Sequence, residues 1–98
     1  MNVILQSDIF RKWLSKLKDK TAKALIIRRI QRMELNNFGD CKSIRAGVYE
    51  LRINIGAGYR VYYAQEGKIT YLLLNGGNKK TQEQDIKQAI AMWQEYKN

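Results

Sequence analysis

Apolar and polar positions alternate with a period of two through Gly47–Tyr63, GVYELRINIGAGYRVYY, on either side of Gly56-Ala57-Gly58. That is the pattern of a β-hairpin, and glycine supplies the positive φ that a short loop requires. Pairing Ile55 with Tyr59 sorts the side chains onto two faces. One face carries Tyr49, Leu51, Ile53 and Ile55 opposite Gln65, Tyr63, Val61 and Tyr59, and it is predicted to be core. The other carries Glu50, Arg52 and Asn54 opposite Ala64, Tyr62 and Arg60. It is a polar face, where a side chain such as Arg60 is expected to add little to packing.

The rest of the pattern arranges itself around this hairpin. Met1–Gln6 reads as a short first strand. Ser7 or Asp8 caps a helix with Phe10, Trp13, Leu14 and Leu17 at helical spacing, and Asp19 or Thr21 opens a second with Ala22, Ile26, Ile30 and Met33 inward. The short link predicts an antiparallel helical hairpin. Lys23, Arg28, Arg29 and Arg32 form its basic outer face. A turn over residues 36–40 leads to a short strand at Lys42–Arg45, and Ala46-Gly47 turns the chain into the central hairpin. Ile69–Leu74 is apolar almost throughout, the mark of a strand covered on both faces or inserted centrally. Thr81 and Gln84 fit a capping box for a last helix with Ile86, Ala89, Ile90 and Trp93 as its stripe. The tyrosines Tyr59, Tyr63 and Tyr71, with Trp13 and Trp93, are expected in the core. The sum is one α+β domain over residues 1–98, with helices against one sheet face.

Charge and missing residue types narrow the chemistry. Eighteen Lys and Arg against nine Asp and Glu give +9, which favours a polyanion or an acidic protein as partner. There is no histidine and a single cysteine, Cys41, read as filler near a turn. A serine or cysteine triad and most zinc sites are thereby excluded, and no cofactor is expected. No apolar run has membrane-spanning length and no signal peptide is evident, so a cytoplasmic protein without a membrane partner is expected.

RNA is cut without metal when its own 2′-hydroxyl attacks the adjacent phosphate. The protein must then align that hydroxyl, neutralise the phosphoryl charge and move protons. Arginine suits the second task, because its planar fork stays charged and grips two phosphate oxygens. Arg52 and Arg60 on one hairpin face, with Lys79 or Lys80 at a strand end, are the candidate catalytic cations. Tyr62 on the same face is the candidate to stack on a base or donate a proton. Lys42, Arg45 and Glu50 complete the expected RNA-contacting set. For Arg60 the competing reading is a surface ion pair with Glu50 or Glu66.

Three runs taken together, FRKWLSKLKDKTAKALIIRRIQRM, NFGDCKSIRAGVYELRINIGAGYRVYY and YLLLNGGNKKTQEQDIKQAIAMW, resemble the RelE/ParE superfamily of bacterial toxins. They are most similar to its HigB-like "addiction module killer protein" branch. The resemblance implies a small twisted, antiparallel-rich sheet with an N-terminal helical hairpin on one face and a C-terminal helix. It further implies a toxin of a type II toxin–antitoxin system that cuts mRNA on the ribosome. A cognate antitoxin, a small helix-turn-helix protein, would silence it in an oligomeric complex. Arg60 matches the arginine that contacts the scissile phosphate in RelE-like toxins, and Arg52 a basic position on the neighbouring strand. Lys79 or Lys80 falls near an arginine after the last strand. Glu50 stands where RelE has lysine, Thr81–Asp85 lacks the RelE tyrosine, and the C-terminal histidine of some HigB toxins is missing. The alternatives are a ParE-like inhibitor that binds DNA gyrase, or a catalytically degenerate antitoxin-binding relative.

Overall fold

The computed structural model describes all 98 residues. In chain order the elements are β1 (Val3–Gln6), α1 (Asp8–Lys16), α2 (Lys20–Glu34), β2 (Cys41–Arg45), β3 (Val48–Ile53), β4 (Tyr59–Gln65), β5 (Thr70–Gly77) and α3 (Gln82–Lys97). A 3₁₀ turn at Lys79–Thr81 precedes α3. The five strands form one mixed sheet in the order β1-β5-β4-β3-β2. β1 runs parallel to β5, and the other neighbours are antiparallel. No helix is long and apolar enough to cross a membrane.

Helix starts follow the sequence. Ser7 Oγ accepts from the Phe10 amide at 3.0 Å, and Asp19 Oδ1 accepts from the Ala22 amide at 3.0 Å. Each satisfies an amide that the helix itself leaves unpaired. The apolar stripes then bury Phe10 from α1, and Ala22, Ile26, Ile30 and Met33 from α2. They pack on Leu51, Ile53, Val61, Tyr63 and Leu73.

α3 does not join them. It covers the opposite sheet face, where Ile86, Ala89 and Trp93 meet Val48, Tyr62, Ala64, Leu72 and Leu74. The expectation of helices on one face only is therefore corrected. The reason lies in β5: Leu72 and Leu74 face one way and Leu73 the other, so both faces of the sheet need cover. Met92, Tyr96, Leu5 and Leu74 line a groove of about 680 Å³ where α3 leaves β1 bare.

The central hairpin is also wider than expected. Ile53, not Ile55, pairs with Tyr59, and residues 54–58 form the loop, with Gly56 and Gly58 at φ of 55° and 76°. A shift of two residues keeps every side chain on its assigned face, so the sorting survives the error in register. Ala46 and Gly47, both at positive φ, make the two-residue turn between β2 and β3. The capping box sits one turn earlier than Thr81 and Gln84 would place it. Asn78 Oδ1 accepts from the Lys80 amide at 2.9 Å, and Thr81 Oγ1 accepts from the Asn78 amide at 3.3 Å. β5 ends in two glycines because a Cβ at Gly76 would run into the Trp13 ring, and one at Gly77 into the Asp85 carboxylate.

Candidate functional site

Two rows cross the α3 face of the sheet. The first pairs Lys42 with Glu50 and Glu50 with Tyr62, which faces Asn75; the second pairs Arg52 with Arg60 and Arg60 with Gly77. The sequence therefore brings Glu50, Arg52, Arg60 and Tyr62 together as expected. Their surroundings are different: the start of α3 closes over this part of the sheet, and the polar face becomes largely interior.

Glu50 is fully buried and Arg60 is 5% exposed. Glu50 Oε2 accepts from the Tyr62 hydroxyl at 3.1 Å and from Gln82 Nε2 at 2.8 Å. Its Oε1 has no hydrogen-bond partner and lies 3.8 Å from Arg60 Nε, which has none either. Arg60 Nη1 donates to the Tyr59 carbonyl at 3.1 Å. The ion pair with Glu50 is thus present but buried rather than on the surface, a setting where each charge needs the other. Tyr62 is also fully buried, so its ring presents no platform for a base. Burial, and then the charge of Glu50, push its hydroxyl far above the usual tyrosine range.

Arg52 remains half-exposed and is held by Asp40, whose Oδ1 accepts from Nη2 at 2.9 Å and Nε at 3.2 Å. Asn54 Nδ2 donates to the other Asp40 oxygen at 3.0 Å. The Arg52 hydrogen bond, with its charge and the Asn54 bond, holds the Asp40 carboxyl below the usual range against a partial desolvation that would raise it. Behind this pair stands Arg29, which donates to the carbonyls of Arg52 (2.6 Å), Phe38 (3.0 Å) and Asp40 (3.1 Å). It belongs to this junction and not to the outer face of α2, and burial lowers its pKa.

Lys79 and Lys80 are exposed on the 3₁₀ turn after β5. The Lys79 stem lies against Gly58, and its amide donates to the Ala57 carbonyl at 3.4 Å, so the turn is docked on the hairpin loop. Lys42 is exposed on β2. Arg45 is exposed too, 3.5 Å from Glu83 on α3. What solvent meets is a discontinuous set of cations, Arg52, Lys79, Lys80, Lys42 and Arg45, around a sealed Glu50–Arg60 pair. No cluster of potential metal ligands is present.

Sequence reasoning missed Asp40, Gln82 and Arg29. Asp40 read only as a turn residue, Gln82 only as a helix-start residue, and Arg29 as solvated charge. The one sequence signal was an acid directly before the strand that borders Arg52.

A family model described as "Phage derived protein Gp49-like" matches residues 12–95, from within α1 to the last turn of α3. The chain belongs to the Gp49-like family. This is a RelE-like family associated with toxin–antitoxin systems. A Haemophilus influenzae relative described as "Uncharacterized protein" is 52% identical over 86 residues, covering 88% of this chain and 87% of the relative. The matched stretch of the Gp49-like chain contains all eight site residues and the three that the sequence pattern did not reveal.

Proposed function

We propose that this Gp49-like protein is the toxin of a type II toxin–antitoxin pair, of the HigB-like kind, and that it cuts mRNA held on the ribosome. The observation that carries the reading is the register of Arg52 with Arg60 next to a docked turn bearing Lys79 and Lys80, in a +9 chain without histidine. In this reading Arg52 and the two lysines receive the RNA backbone from solvent, and Arg60 is the charge at the scissile phosphate. Catalysis is alignment of the 2′-hydroxyl plus neutralisation of the phosphate. Tyr62 enters as the support of Glu50 rather than as a stacking ring. Lysine and arginine serve poorly as general bases near neutrality, because their ordinary pKa values lie far above it, so the ribosome supplies much of the alignment and free RNA is cut slowly. The silencing partner is an antitoxin with acidic and apolar residues, drawn in by the net charge.

The test is purified protein on programmed ribosomes, read by primer extension. Codon-phased cuts, lowered roughly a hundredfold when Lys79 and Lys80 are both changed to Ala, are the expected result. Intact message, with DNA damage on induction in cells, would replace this reading with inhibition of gyrase.

A further inference from the structure

The proposed reaction leaves the buried carboxylate without a task, and an acid beside a phosphate site is a liability. We infer that Glu50 is a restraining residue: it holds Arg60 inside the fold, so that the resting protein withholds its central cation from RNA. The inference rests on the reading of Arg60 as a phosphate-contacting group.

The carboxylate is fixed from three elements. Glu50 itself is on β3, Tyr62 holds Oε2 from β4, and Gln82 holds the same oxygen from the first residue of α3. The free oxygen, Oε1, is aimed at Arg60 but stops at 3.8 Å, beyond hydrogen-bond distance. Arg60 is therefore retained by charge and by one neutral bond to the Tyr59 carbonyl, with its Nε unpaired. A phosphate offers the same guanidinium two charged acceptors in a matching plane. Such a group can draw Arg60 out, while Glu50 Oε2 stays satisfied by Tyr62 and Gln82; the charge left uncompensated at Oε1 is the cost that makes Glu50 a restraint. The cover over this row is the start of α3, where Asp85 and Thr81 lie over Gly77, the cross-strand neighbour of Arg60.

Glu50→Gln removes the charge and keeps the shape. Binding of a short single-stranded RNA, titrated at several salt concentrations, should tighten. The slope of log affinity against log salt should steepen by about 0.7, the value for one more phosphate neutralised. A second change, Arg60→Gln in the same chain, should cancel the gain. An arginine-selective dicarbonyl reagent should modify Arg60 in Glu50→Gln and spare it in the parent, while Arg52 reacts in both. If Glu50→Gln does not fold, Glu50→Met with Tyr62→Phe removes both polar partners together and carries the same measurements. Unchanged or weaker RNA binding with Arg60 still protected, in a folded variant, would overturn the restraint. Ribosomal cleavage by the parent, scored in parallel, separates the two ideas: its absence alongside a gain in binding would sink only the nuclease reading.

Discussion

The two faces of the sheet are built from the same strands and closed in opposite ways. Against α1 and α2 the interface is apolar, with Phe10, Ile26, Met33, Leu51 and Leu73 interlocked and an aromatic stack of Tyr49 on Tyr63 at 5.4 Å between centroids. Against α3 part of the interior is given to Glu50, Arg60 and Asn75. Asn75 Nδ2 donates to Asp85 O at 3.0 Å and Gln88 Oε1 at 2.8 Å, tying α3 down by polar bonds as well as packing. A protein of this size has little stability to spare. Buried charge thus lies on one face alone, while the other is closed by apolar packing.

Substitutions can break that contrast in graded steps. Phe10→Ala, on the apolar face, should cost about 3–5 kcal/mol in chemical denaturation, because a buried aromatic leaves a cavity. Arg60→Ala should cost about 3 kcal/mol, since it strands a fully buried carboxylate. A melt indistinguishable from the parent would show that Glu50 does not depend on this cation. It follows that Arg60→Ala is a poor probe of catalysis, contrary to its expected place on an open hairpin face. Tyr62→Phe should cost about 1.5–3 kcal/mol, because Glu50 then forgoes a bond made to a charged group.

Asp40 gives a pH test on an exposed pair. Its folded pKa is depressed, so its contribution is present above the unfolded value of about 3.9 and is lost as pH falls through the folded value. Asp40→Asn should lower the melt slightly near neutrality, leave it little changed at the lowest pH, and so flatten the dependence of stability on pH below about pH 4. The smallest stability effect belongs to Lys79→Ala and Lys80→Ala, within about 0.5 kcal/mol each. Their effect on RNA should be out of proportion, reducing the salt slope by about 0.7 for each phosphate no longer neutralised.

Period-two alternation was enough to place Glu50, Arg52, Arg60 and Tyr62 on one face, and it tolerated a hairpin register wrong by two. Ser7 and Asp19 were legible as caps because each stands directly before a helical stripe. The cover was not legible. Alternation reports which side chains share a face, but not which helix lies on it, and Glu50, Arg52 and Arg60 made that face look solvated. Only the all-apolar Leu72-Leu73-Leu74 hinted that both sides were closed. Asp40 and Arg29 act through partners across the sheet junction, which no local spacing encodes. Asn78 was passed over because a polar loop seemed sufficient account of Asn75–Lys80.

The first strand of the chain pairs only with the last. Val3 pairs with Thr70, and Ser7 donates from its amide to Leu73 and from its hydroxyl to Leu74. During synthesis the N-terminal segment must therefore wait, unpaired, until β5 has been made, and long-range pairing of this kind is slow. α3, which completes the cover over Arg60, is made later still. A message cut short before Thr70 yields a chain that cannot finish its sheet. Under the proposed reading, in which the protein cuts messages during translation, such a topology would postpone activity until its own translation was over.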